Sequence, residues 1–157
     1  MDRRLVFLCL LLSDCMLLGA CAPAAVPDSP LSRFSFSENS TYIRPVQGYE
    51  YRAEDGVRTV FFHLTYEDEP LAVPVAASWA DGLTGLISQY GMMSWNGFDK
   101  NDSLLLDGTQ FSVSFAFADG TSVTARGYGR FPPNYSDATE AIEAHFLQLL
   151  PKDMRVW

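Results

Sequence analysis

Few residues in this chain have the type and spacing that chemistry would need. There are two histidines, His63 and His145, and neither sits near a Gly-x-Ser-x-Gly turn or a His-x-x-x-His pair. A serine triad or a three-ligand zinc site needs more than that, so both are read as ordinary half-buried side chains. The run Asp99-Lys100-Asn101-Asp102-Ser103 alternates oxygen donors as a calcium loop does. Leu104 then stands where such a loop wants glycine, and Gln110 where it wants a bidentate glutamate. A polar surface turn is the expectation there. Asp99 and Asp107 remain as a carboxylate pair that could serve a hydrolase, provided that the fold makes them face each other. No cofactor motif occurs.

Cys21 carries a different chemistry. A basic start (Arg3, Arg4), an apolar run from Leu5 and the ending Leu18-Gly19-Ala20-Cys21 form an export signal that resembles the bacterial lipobox. In that motif the chain is cut before the cysteine, whose sulfur takes a diacylglyceryl group with palmitate-type chains. Two acyl chains suffice for stable membrane attachment. The run to Ala20 contains Asp14 and is short for a spanning helix. Cys9, Cys15 and Cys21 are the only cysteines, so the exported part is expected to fold without a disulfide. Residues 1–20 are thus read as signal peptide, 21–32 as a proline-rich lipidated tether, and 33–157 as one domain.

That domain must position whatever function exists. With 48% apolar and 19% charged residues the chain as a whole has a globular composition. A net charge of -8 with only 11 Lys and Arg excludes nucleic acid as a partner. Phe34 and Phe36 alternate with serines. Tyr49, Tyr51 and Ala53 share one strand face, and after Asp55-Gly56 so do Val60, Phe62, Leu64 and Tyr66. Phe111 to Phe117 turns at Asp119-Gly120 and returns to about Arg126. Asp-Gly between alternating runs predicts hairpins. Helical spacing predicts one helix from about Ala76 to Tyr90, weakened by Gly82 and Gly85. A second is expected behind Asp137, with Glu140 three residues on as a capping-box partner, and with Ile142, Phe146 and Leu149 inward. Prolines separate each hairpin from its helix. The expected class is α+β, a mainly antiparallel sheet with two helices on one face, in two layers.

Trp95-Asn96-Gly97-Phe98, Leu106-Asp107-Gly108 leading into Phe111, and Gly127 with Phe131-Pro132-Pro133-Asn134-Tyr135 form an ordered series. It resembles a family of uncharacterised small exported proteins and lipoproteins from Gram-positive gut bacteria. Tyr128-Gly129-Arg130 departs from the small polar segment that this resemblance implies. The motif residues Trp95, Phe98, Asp107, Asn134 and Tyr135 are read as a structural clasp under the second hairpin or as a binding site. In the clasp, the Asp107 carboxylate is expected to satisfy nearby backbone N–H groups. Two functions follow: a non-enzymatic envelope module that binds a peptide, a glycan or a neighbouring envelope protein, or a carboxylate-dependent hydrolase acting on an extracellular substrate.

Overall fold

The computed structural model describes residues 25–39, 46, 48–64, 69–105 and 107–154. Residues 1–20, Cys21 and Tyr66, each given a role above, lie outside the described residues. Among the described residues seven strands are formed: β1 (Leu31–Asn39), β2 (Gly48–Glu54), β3 (Val57–His63), β4 (Leu71–Pro74), β5 (Asp99–Asn101), β6 (Gln110–Phe117) and β7 (Ser122–Tyr128). The helices are α1 (Ala77–Gln89) and α2 (Tyr135–Leu147). The sheet order is β4-β3-β2-β1-β6-β7-β5, antiparallel except where β5 runs parallel to β7. Among the described residues no helix is long and apolar enough to cross a membrane.

Period-two alternation gives the sheet one apolar face. Phe34 and Phe36 of β1 stand between Tyr49 and Tyr51 of β2 and the Phe111, Val113, Phe115 row of β6, all buried. A bulge between Leu31 and Arg33 turns Leu31 inward as well, although three positions separate it from Phe34. Both helices cover this face. Phe146 of α2 lies 5.8 Å from Phe34, 5.0 Å from Tyr49 and 5.0 Å from Trp79 of α1, ring centre to ring centre. The expected α+β two-layer arrangement is what the chain adopts.

The two hairpins flank β1 and turn differently. Asp55 and Gly56 both have positive φ, 50° and 80°, the tight two-residue turn that matches strand twist. At Ala118-Asp119-Gly120 only Gly120 is left-handed, with φ 89°, and the Asp119 carboxylate accepts the Thr121 N–H at 2.9 Å. That is a three-residue turn closed by a glycine.

Several expected boundaries shift. The sheet begins at Leu31, inside the segment expected as tether, and Val26 already packs on the core. The prolines after the first hairpin bracket a strand: β4 is an edge strand, where proline is tolerated because one side has no hydrogen-bonding neighbour. The polar run at Asp99 is the other edge strand. Helix α2 starts at Tyr135, not behind an Asp137 cap. Pro132-Pro133 delivers the chain to Asn134, whose left-handed backbone (φ 61°) opens the helix without a side-chain cap, and Asp137 falls in the first turn. Leu149 lies past the helix end, half-buried, while Leu150 is buried.

Gly82 has a packing reason that helical propensity hides. A Cβ there would come 2.8 Å from Cε1 of His145, whose ring also stacks on Trp79 at 4.5 Å. Nothing stands within 4 Å of the same atom built at Gly85. Gly85→Ala is therefore expected to stabilise by about 1 kcal/mol, and Gly82→Ala to fall short of that gain. Thermal unfolding of the two variants side by side checks it.

Candidate functional site

The motif series comes together around one side chain. Gly91, left-handed at φ 64°, ends α1 and starts a short 3-10 turn, Met92–Trp95. That turn drives the Trp95 ring inward, leaving it 1% exposed, and its Nε1–H donates to the Pro133 carbonyl at 3.0 Å. Tyr135 lies 6.0 Å from Trp95, 4.6 Å from Phe111 and 4.7 Å from Phe131. Its hydroxyl donates to Glu38 at 2.8 Å. Phe98 closes the far side, 6.2 Å from Phe111. Asn134 reaches back, its amide donating to the Tyr90 carbonyl at 3.5 Å. The structure thus brings Trp95, Phe98, Asn134 and Tyr135 together at one end of the sheet.

Asp107 does not join them. Its carboxylate is exposed, and the hydroxyl of Tyr128 does the expected work by accepting the Gly108 N–H at 2.9 Å. The reason is reach: Tyr128, at the end of β7, extends a long rigid side chain over Gly108, where a Cβ would come 3.0 Å from the ring. The segment that departs from the resemblance therefore holds the β5–β6 loop. Of the aromatic cluster, Phe131 is the ring that meets solvent, 43% exposed. It borders a cavity of about 340 Å³ together with Glu38, Ser136, Glu140 and Glu143.

The other candidate groups are also placed. Asp99 accepts a charge-assisted hydrogen bond from Arg126 at 2.6 Å. The Arg126 guanidinium holds the Asp99 carboxyl below its ordinary range, whereas a general acid needs the opposite shift. The cavity beside the Asp99–Asp107 loop is lined by Asn101, Asp102, Ser103, Leu105, Gln110 and Tyr128, and by neither of the two carboxylates. His145 lies between Trp79 and Gly82. Its Nε2–H donates to the Trp79 carbonyl at 2.9 Å, and Nδ1 accepts from the Gln148 amide at 3.0 Å, which is the neutral tautomer.

Burial pushes the His145 pKa down, against the smaller upward pull of the Trp79 carbonyl. The unfolded chain then takes up a proton first as pH falls. Stability from this site should be complete above the ordinary value of 6.5 and decline as pH drops through it toward the lowered folded value. Urea midpoints at about pH 7.5 and about pH 5.5 should differ for the wild type, and this difference should shrink in His145→Gln.

The groups that sequence reading missed lie on the opposite face of the sheet. Arg33 and Arg52 are directly paired across β1 and β2, a like-charge pair that destabilises a sheet unless something stands between. Glu50 does. It is 7% exposed and grips Arg52 through both oxygens, Nε at 2.8 Å and Nη2 at 2.7 Å, while Arg33 reaches it at 3.0 Å. Arg52 and then Arg33 outweigh burial and keep the carboxyl below its ordinary range. The Arg52 guanidinium lies 5.0 Å over the Phe61 ring, and His63 Nε2 is 3.9 Å from the same carboxylate. Beside this cluster the face carries small side chains. Ser35 pairs with Ser114 and Ser37 with Ser112 across β1 and β6, all of them exposed or half-exposed. Alternation marked Glu50 and Arg52 as outward, but only the register of β1 on β2 brings Arg33 to them.

No family model matches this chain, and no curated protein matches it.

Proposed function

We propose that the protein is an exported lipoprotein, held at the extracytoplasmic face of a bacterial cell membrane by acyl chains on Cys21. In this reading its domain binds a peptide, a glycan or a neighbouring envelope protein without converting it. The observation that carries the binding role is the two-sidedness of the sheet. One face is closed by both helices, and the other presents a row of small hydroxyls beside Arg33, Glu50, Arg52 and Phe61. Two guanidinium groups braced by one carboxylate keep donors for an extended, polar ligand. Held in that geometry, they lose little side-chain freedom when such a ligand arrives. A floor of serines lets a chain or a sugar ring approach the backbone closely. The lipobox supports the anchor, as does a fold that takes hold of the chain five residues after Cys21.

A photo-reactive residue in place of Ser114, in the membrane-bound protein, tests the binding face. The expected result is a discrete cross-linked product that Arg52→Glu abolishes and that a probe at Ser136, exposed on α2 on the other side of the sheet, does not give. The same products from both positions would refute it.

A further inference from the structure

The course of the chain ahead of the sheet bears on how the domain stands on a membrane. Ala25 and Val26 are not a free leash. They line a cavity of about 560 Å³ on the helical side, with Ile87, Tyr90, Gly91 and Asn134. Val26 packs on the core, and the Pro30 carbonyl accepts the Ala118 N–H at 2.9 Å. Only Ala22, Pro23 and Ala24 separate Cys21 from this held segment. Fully stretched, that link spans about 14 Å at most. A domain of this length is about 36 Å across, from a radius of gyration near 14 Å, so it cannot turn over on such a link.

The surface around the attachment point has a second property. The lining of that cavity carries no charged side chain, and from Gly82 to Phe98 not one residue is charged, in a chain of net charge -8; Asp28, exposed two residues after Val26, is outside the lining. Carboxylates are repelled by anionic headgroups, and an uncharged face is not. Tyr90, half-exposed at the end of α1, is the type of ring that sits at headgroup level.

We propose that the end of α1, together with Ala25 and Asn134, rests against the lipid headgroups, so that the polar face of the sheet points away from the membrane. This orientation rests on the acylation of Cys21 proposed above. It explains how a module on so short a link would keep its Arg33–Glu50–Arg52 face accessible.

The test uses the acylated protein in vesicles of phosphatidylglycerol and phosphatidylethanolamine that carry a headgroup-attached quencher. Because the Cys21 sulfur is acylated, a cysteine introduced as Ser94→Cys or Ser112→Cys is the only free thiol and takes a fluorophore. The label at Ser94 should be quenched several-fold more than the label at Ser112. Equal or reversed quenching on protein whose Cys21 is acylated, as shown by mass spectrometry of the N-terminal peptide, overturns the orientation alone. An unacylated Cys21 overturns the anchor and the orientation together.

Discussion

Trp95→Ala should cost about 3–5 kcal/mol of unfolding free energy, the range for deleting a buried aromatic ring. The ring is enclosed, and it touches the turn that enters α2 through its own hydrogen bond to Pro133. Its loss opens a cavity beside Tyr135 and leaves a carbonyl acceptor without its donor. Typical domains have about 5–15 kcal/mol in total, so the variant should sit near the edge of folding. Urea unfolding followed by far-ultraviolet circular dichroism measures it. Trp95→Phe, which keeps one six-membered ring but loses the pyrrole ring with its N–H, should recover part of the difference. A wild-type midpoint for Trp95→Ala would mean that the clasp does not hold this end of the sheet.

Gly127→Ala should be nearly as damaging, by about 3 kcal/mol, through overpacking rather than loss. Gly127 continues the inward row of Val123 and Ala125 on β7. A methyl group there would overlap the carbonyl oxygen of Arg130 and come 2.6 Å from Cε1 of Phe111. Neither can yield easily: one is backbone, and the other is a core ring in contact with Phe98, Phe131 and Tyr135. The same substitution at Gly97, where φ is 76° but the space is open, should cost less. Comparing the two midpoints separates steric from backbone strain. If Gly127→Ala melts like the wild type, the close approach is not tight.

How far the fold could be read from the chain follows from the range of each signal. Phe111, Val113, Phe115 and Phe117 announce a strand because alternation is local, and Asp55-Gly56 announces a turn because positive φ is a property of two residues. The short strand Leu71–Pro74 carried no such signal. Its prolines speak against a strand in isolation and are allowed only because the sheet ends there. Asn134 hid the start of α2 because a left-handed residue opening a helix depends on what Pro132-Pro133 delivers to it. The site divides in the same way. Trp95, Phe98, Asn134 and Tyr135 could be singled out as a group from their order, although not that Phe98 and Tyr135 meet at Phe111 while Trp95 packs on Tyr135. The Arg33–Glu50–Arg52 cluster was beyond reach, since it joins two strands through a register that no single segment encodes. Tyr128 taking the place of Asp107 turns on a contact across 20 positions.

The central claim is that this domain is tied to a membrane through Cys21, and metabolic labelling with an alkyne fatty acid followed by membrane fractionation tests it most directly. Wild-type protein should take the label and partition with the membranes. Cys21→Ala should lose the label and appear in soluble or uncleaved form. An unlabelled wild type, or a Cys21→Ala protein that partitions unchanged into detergent, would contradict it.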